Sequence, residues 1–94
     1  MLTRAKLMLI LDKLTREFKH RHIEIAVEKI IEHKSKYIVL ARIMDRNLKI
    51  IIYKNIVKVR AYSGLTGMDV AVRKVLIREY NKVLKMRSDE EESL

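Results

Sequence analysis

Between positions 36 and 62 lysines, arginines and tyrosines alternate with aliphatic residues. "IVKVRAY" (56–62) sets Lys58, Arg60 and Tyr62 against Val57, Val59 and Ala61. "KYIVLARIM" (36–44) and "LKIIIY" (48–53) add Lys36, Arg42, Lys49 and Tyr53 in the same phase. A period of two puts one set on each face of a strand. Cations neutralise phosphates, and aromatic rings stack on bases. A face collecting Arg42, Lys49, Tyr53, Lys58, Arg60 and Tyr62 therefore suits DNA or RNA. That face also carries Ile38, Leu40 and Ile51, an apolar patch that would equally serve a homodimer interface with a basic rim, and a homodimer is expected.

A second place where chemistry could sit is "SGLTGMD" (63–69), which holds the only two glycines, Gly64 and Gly67. A glycine turn ahead of a helix leaves backbone N–H groups that can hold a phosphate, with Arg73 and Lys74 one turn further on. The spacing is not that of a Walker loop. Thr66 and Asp69 have the T-x-x-D spacing of a capping box, in which the carboxylate would reach back to the Thr66 N–H. The expectation is that capping explains this loop, with both glycines supplying unusual backbone angles, and that Arg73 and Lys74 add phosphate contacts.

Catalysis has little support. His20 and His22 form H-x-H, near Glu17 and Glu24, but a catalytic metal wants three ligands and an open position. The histidines are expected to add charge in a basic turn. No nucleophile–base arrangement is recognisable, and neither cofactor nor metal is expected.

Charge supports a polyanionic partner. The chain has 94 residues and a formal net charge of +9. Residues 34–62 contribute +7, residues 22–33 contribute −2, and residues 88–94 contribute −4. A field of this kind attracts DNA or RNA. There is no cysteine, hence no disulfide or thiolate–metal framework. "LMLIL" (7–11) is too short for a signal or membrane-spanning segment, so a soluble, cytoplasmic protein is expected. High charge and few thermolabile side chains suit a thermophile of archaeal-like composition.

These residues need elements to position them. Leu7, Ile10, Leu11, Leu14 and Phe18 follow the helical i, i+3, i+4, i+7 spacing over residues 3–19, with Thr3 as cap. Residues 22–33 fit either a helix or a strand. The strand is favoured, because Glu24, Glu28 and Glu32 would repel one another along a helix. Residues 36–44, 48–53 and 56–62 read as strands, with "DRN" a tight turn in which Asn47 takes a left-handed backbone. Lys54-Asn55 forms a second turn or a bulge. Tyr37, Val39, Ala41, Ile43, Ile50, Ile52, Val57 and Val59 would face the helices. A helix over 67–87 carries Val72, Val75, Leu76, Val83 and Met86, widened by Ile77 and Leu84, as though buried on more than one side.

The predicted fold is one basic α+β domain over residues 1–87: an N-terminal helix, an antiparallel meander of three to four strands and a C-terminal helix. An acidic, flexible tail (88–94) would follow. The leading expectation is a nucleic-acid-binding protein that contacts phosphates with little base readout. An alternative is a small accessory subunit docked on a larger DNA- or RNA-processing assembly. A third, a winged-helix regulator, needs three helices before the wing, and no RNP-type aromatic motif marks an RRM.

Overall fold

The computed structural model describes residues 1–93, with side chains described through Met86. The order is α1 (Arg4–His20), β1 (Ile25–Glu32), β2 (Lys36–Ile43), β3 (Arg46–Tyr53), β4 (Val59–Tyr62) and α2 (Thr66–Ser93). The four strands form one antiparallel sheet in the order β1-β2-β3-β4. The fold is α+β, as the sequence pattern predicts. The expected acidic tail, 88–94, falls on side chains outside those described.

Thr3 caps α1 by accepting a hydrogen bond from the Lys6 N–H at 3.3 Å. The five residues expected on its inner face, Leu7, Ile10, Leu11, Leu14 and Phe18, are the ones buried. The helix ends without glycine because His22 takes a left-handed backbone, φ 60°. The N–H groups of His22 and Ile23 then donate to the carbonyls of Lys19 and Phe18, each at 2.9 Å. This is the Schellman closure, which satisfies carbonyls that would otherwise be left open at the helix end.

Residues 25–32 form a strand, the alternative favoured from the glutamate spacing. Its phase changes midway. Val27 pairs with Ala41 but Lys29 pairs with Leu40, so Glu28 is an extra residue in a β-bulge. The bulge turns Ile30 toward the helices, opposite Val39, and Lys29 and Ile31 away from them. The β2–β3 turn lies earlier than expected. Met44 (φ 48°) and Asp45 (φ 62°) are its two central residues, whereas Asn47 already pairs with Arg42 in the ladder. Positive φ at both central residues makes a type I′ turn, whose twist matches that of the strands it joins. β4 is shorter than the expected 56–62. Residues 54–58 are a loop, held by the Tyr53 N–H donating to the Lys58 carbonyl at 3.1 Å.

Both helices cover the same sheet face and run side by side, α1 toward β1 and α2 toward β4. Tyr37, Val39, Ala41, Ile43, Leu48, Ile50, Ile52 and Val59 are buried beneath them. The inner face of α2 differs in part from the expected stripe: Tyr80 and Glu79 are buried, and Met86 is exposed. The Tyr80 hydroxyl donates to the Tyr53 carbonyl at 2.6 Å, and burial pushes its pKa up. Lys54 is only 5 % exposed, with its ammonium 2.7 Å from Glu32 and 4.8 Å above the Tyr37 ring. Among the described residues no helix is long and apolar enough to cross a membrane.

Candidate functional site

The sheet face turned away from the helices is uncovered. Its composition follows from register, since residues directly opposite each other in an antiparallel pair lie on the same side. One row across the strands reads Ile31, Ile38, Ile51, Arg60. The next reads Lys29, Leu40, Lys49, Tyr62. Arg42 pairs with Asn47, its guanidinium donating to the Asn47 side-chain oxygen at 3.1 Å, and Lys36 pairs with Tyr53. Aliphatic side chains thus occupy the middle of the face, with cations and tyrosines around and between them. Arg42, Lys49, Arg60 and Tyr62 are exposed, whereas Ile38, Leu40 and Ile51 are half-buried by their neighbours.

Aromatic and cationic groups meet at the β3–β4 corner. The Lys58 ammonium lies 5.3 Å from the Tyr53 ring centroid, which puts Lys58 on this face although it precedes β4. Arg60, opposite Ile51, lies on the same face as Tyr62 and Tyr53, and the phenols of Tyr62 and then Tyr53 push its guanidinium pKa up. Tyr62 is 49 % exposed, and its ring has no cation lying over it among the described residues.

The supply of carboxylates differs between this face and the helix layer, although helix cations such as Arg4, Lys6, Lys13, Arg73 and Lys74 are also in no ion pair among the described residues. β2, β3 and β4 contain no aspartate or glutamate. Among the described residues, no ion pair involves Lys29, Lys36, Arg42, Lys49, Lys58 or Arg60. On the helices, Arg78 binds Glu17 and Glu79, Arg21 binds Glu17, Lys82 binds Glu79 and Arg16 binds Asp12. The Arg78 hydrogen bond holds Glu17 below the ordinary carboxylate range, against the opposing effect of partial burial. Both carboxylates raise the Arg78 pKa.

Six of the eight residues singled out from the sequence therefore share one surface: Arg42, Lys49, Tyr53, Lys58, Arg60 and Tyr62. Arg73 and Lys74 do not. They are exposed on α2, across the sheet, because α2 packs on the covered face. Lys29 and Ile31 join the face unforeseen, since only the bulge at Glu28 turns them outward. Period-two reading of 22–33 gives no sign of it.

The glycine loop is not a phosphate cradle. Asp69 accepts hydrogen bonds from the Ser63 N–H at 2.9 Å and the Ser63 hydroxyl at 2.5 Å. The expected Thr66–Asp69 capping box is absent because α2 begins at Thr66, one residue earlier than anticipated. That places the Asp69 N–H on the Leu65 carbonyl and its carboxylate on Ser63. A carboxylate lodged there repels an anion. Gly64 has φ 88°, but Gly67 lies in the first helical turn and needs no special backbone angle.

At the end of α1 an open cleft of about 670 Å³ is lined by Arg16, Lys19, His22 and Glu24 among others. Among the described residues no three His, Cys, Asp or Glu side chains converge as a metal site would require. Two helices flank the sheet, so the three-helix order that a winged helix needs before its wing does not occur among the described residues.

No protein-family model matches this chain, and neither a curated protein nor a solved structure matches it.

Proposed function

We propose that this protein binds nucleic acid on its open sheet face, mainly through phosphate contacts and with little base readout. The observation that carries the reading is the collection there of six cations unpaired among the described residues, on a surface whose three strands β2, β3 and β4 supply no carboxylate. Unpaired cations keep their full attraction for a polyanion, and binding releases the counterions condensed on it. On β2, β3 and β4 this face carries no carboxylate and, apart from Asn47, no amide, and its aliphatic residues cannot hydrogen-bond a base edge, so little base readout is expected.

The test is a salt titration of binding with a labelled oligonucleotide of mixed sequence. Four to six phosphate contacts give log K against log salt a slope of about −3 to −5. The double variant Arg42→Glu/Lys49→Glu is expected to weaken binding at least about tenfold. Arg73→Glu/Lys74→Glu, with the same charge change on the other side of the molecule, is expected to have a much smaller effect. Equal losses from the two pairs would assign the binding to net charge and remove the sheet face from the proposal.

The row Ile31, Ile38, Ile51 favours a second reading, an accessory subunit that docks this face on a larger DNA- or RNA-processing protein. Co-purification with one large partner after nuclease treatment, with no binding of nucleic acid by the isolated chain, would establish it instead.

A further inference from the structure

Phosphate contacts alone leave the aliphatic middle of the face without a purpose. Ile38, Leu40 and Ile51 are flanked by Lys49, Arg60 and Tyr62, so any occupant must present apolar surface and negative charge in alternation over a few ångströms. Three occupants can be compared. A second copy of the chain would supply apolar surface, but it would also bring its own Lys29, Lys49 and Arg60 against these unpaired cations, and like charges brought together in an interface are costly. A duplex supplies the charge, yet its base faces are stacked inside the helix. Its phosphates would lie on isoleucine and leucine, which cannot hydrogen-bond them. A single strand supplies both, because its unstacked bases offer flat apolar faces beside each phosphate.

We infer that the occupant is single-stranded nucleic acid, with bases laid against Tyr62 and the Ile38–Ile51 row and phosphates held by the flanking cations. This rests on the proposed function and narrows its substrate class. Tyr62 is the principal stacking platform, since its ring is half exposed and Lys58 lies over the other aromatic ring, Tyr53. Arg60, opposite Ile51 and two residues from Tyr62 on the same face, is placed to contact a phosphate next to a base stacked on Tyr62. Apolar contact and stacking accept any base, consistent with little base readout.

The experiment is fluorescence anisotropy with the full chain, using a labelled mixed-sequence DNA of about 15 nucleotides, alone and annealed to its complement. The single strand is expected to bind at least about tenfold tighter than the duplex. Tyr62→Ala is expected to weaken single-strand binding about fivefold or more, the range of one base–aromatic stack, and to leave duplex binding within about twofold. Tyr62→Phe keeps the ring and is expected to retain single-strand binding. Because Tyr62 is exposed, circular dichroism of the variants should match the parent. Duplex binding as tight as single-strand binding, or equal losses on both from Tyr62→Ala, would overturn the single-strand assignment and leave the proposed function standing. Binding of neither form would overturn both.

Discussion

Gly64 and Gly67 are three positions apart in one short segment, yet only one of them is held to glycine. Gly64 has φ 88°, and a Cβ there would meet Nη1 of Arg46 at 3.1 Å. Gly67 sits in the first turn of α2, where a Cβ would meet nothing within 4 Å. Gly64→Ala is expected to destabilise the fold by about 1–3 kcal/mol through backbone strain. Gly67→Ala is expected to stabilise it by about 0.5 kcal/mol by narrowing the unfolded ensemble. Denaturant midpoints at unchanged slope check both, and shifts of the same sign would refute the assignment. The T-x-x-D spacing was legible in the sequence, but the residue at which helical geometry starts was not. A start at Thr66 rather than 67 is enough to move the partner of Asp69 from Thr66 to Ser63. The outward side chains of β2 and β3 were legible because alternation there runs without interruption from Lys36 to Arg42 and from Lys49 to Tyr53. Lys29 and Ile31 were not, because a bulge is a property of pairing and leaves no mark in the composition of one strand.

Among the elements, α1 is the one whose burial follows directly from spacing, since all five of its inner residues are apolar. α2 mixes signals. Tyr80 and Glu79 carry polar groups and so fall outside an apolar stripe, yet both are buried because each polar group has a partner. The Tyr80 hydroxyl donates to the Tyr53 carbonyl, and the Glu79 carboxylate accepts from Arg78 at 2.9 Å. The two helices are also joined by the Glu17–Arg78 pair. Folding lowers the Glu17 pKa below its usual 4.5, chiefly through the Arg78 hydrogen bond and further through the charges of Arg78, Arg21 and Lys82. A depressed folded-state pKa gives stability that is complete above the unfolded value and is lost as pH falls through the folded value. Glu17→Gln should therefore melt below the parent at pH 7, and the gap should narrow as pH is lowered below the usual 4.5. Melting curves of both proteins across that range check this. A gap that stays constant throughout the acid range would attribute the effect of the substitution to packing instead of charge.

At the scale of the whole molecule, the two sides differ in their carboxylates: β2, β3 and β4 hold none, whereas the helices carry Asp12, Glu17, Asp69 and Glu79. Several helix cations are paired with carboxylates from the same layer, whereas the sheet-face cations surround an uncovered aliphatic middle. At low ionic strength those cations keep two copies of the face apart, with a screening length of about 10 Å at 0.1 M salt. At about 1 M salt that length falls to about 3 Å. Repulsion is then reduced while burial of Ile38, Leu40 and Ile51 stays favourable, at about 25 cal/mol per Å² of apolar surface covered. The chain is accordingly expected to sediment as a monomer at about 0.05 M salt and to self-associate at about 1 M. Ile38→Lys, which places a charge in the middle of the face without touching the covered core, is expected to suppress the high-salt association. Sedimentation equilibrium of the two proteins at both salt concentrations decides it. A dimer that persists at low salt and resists Ile38→Lys would locate self-association on another surface, leaving the sheet face free. A dimer that persists at low salt but dissolves in the variant would mean that a second copy, despite its charge, is the natural cover of this face.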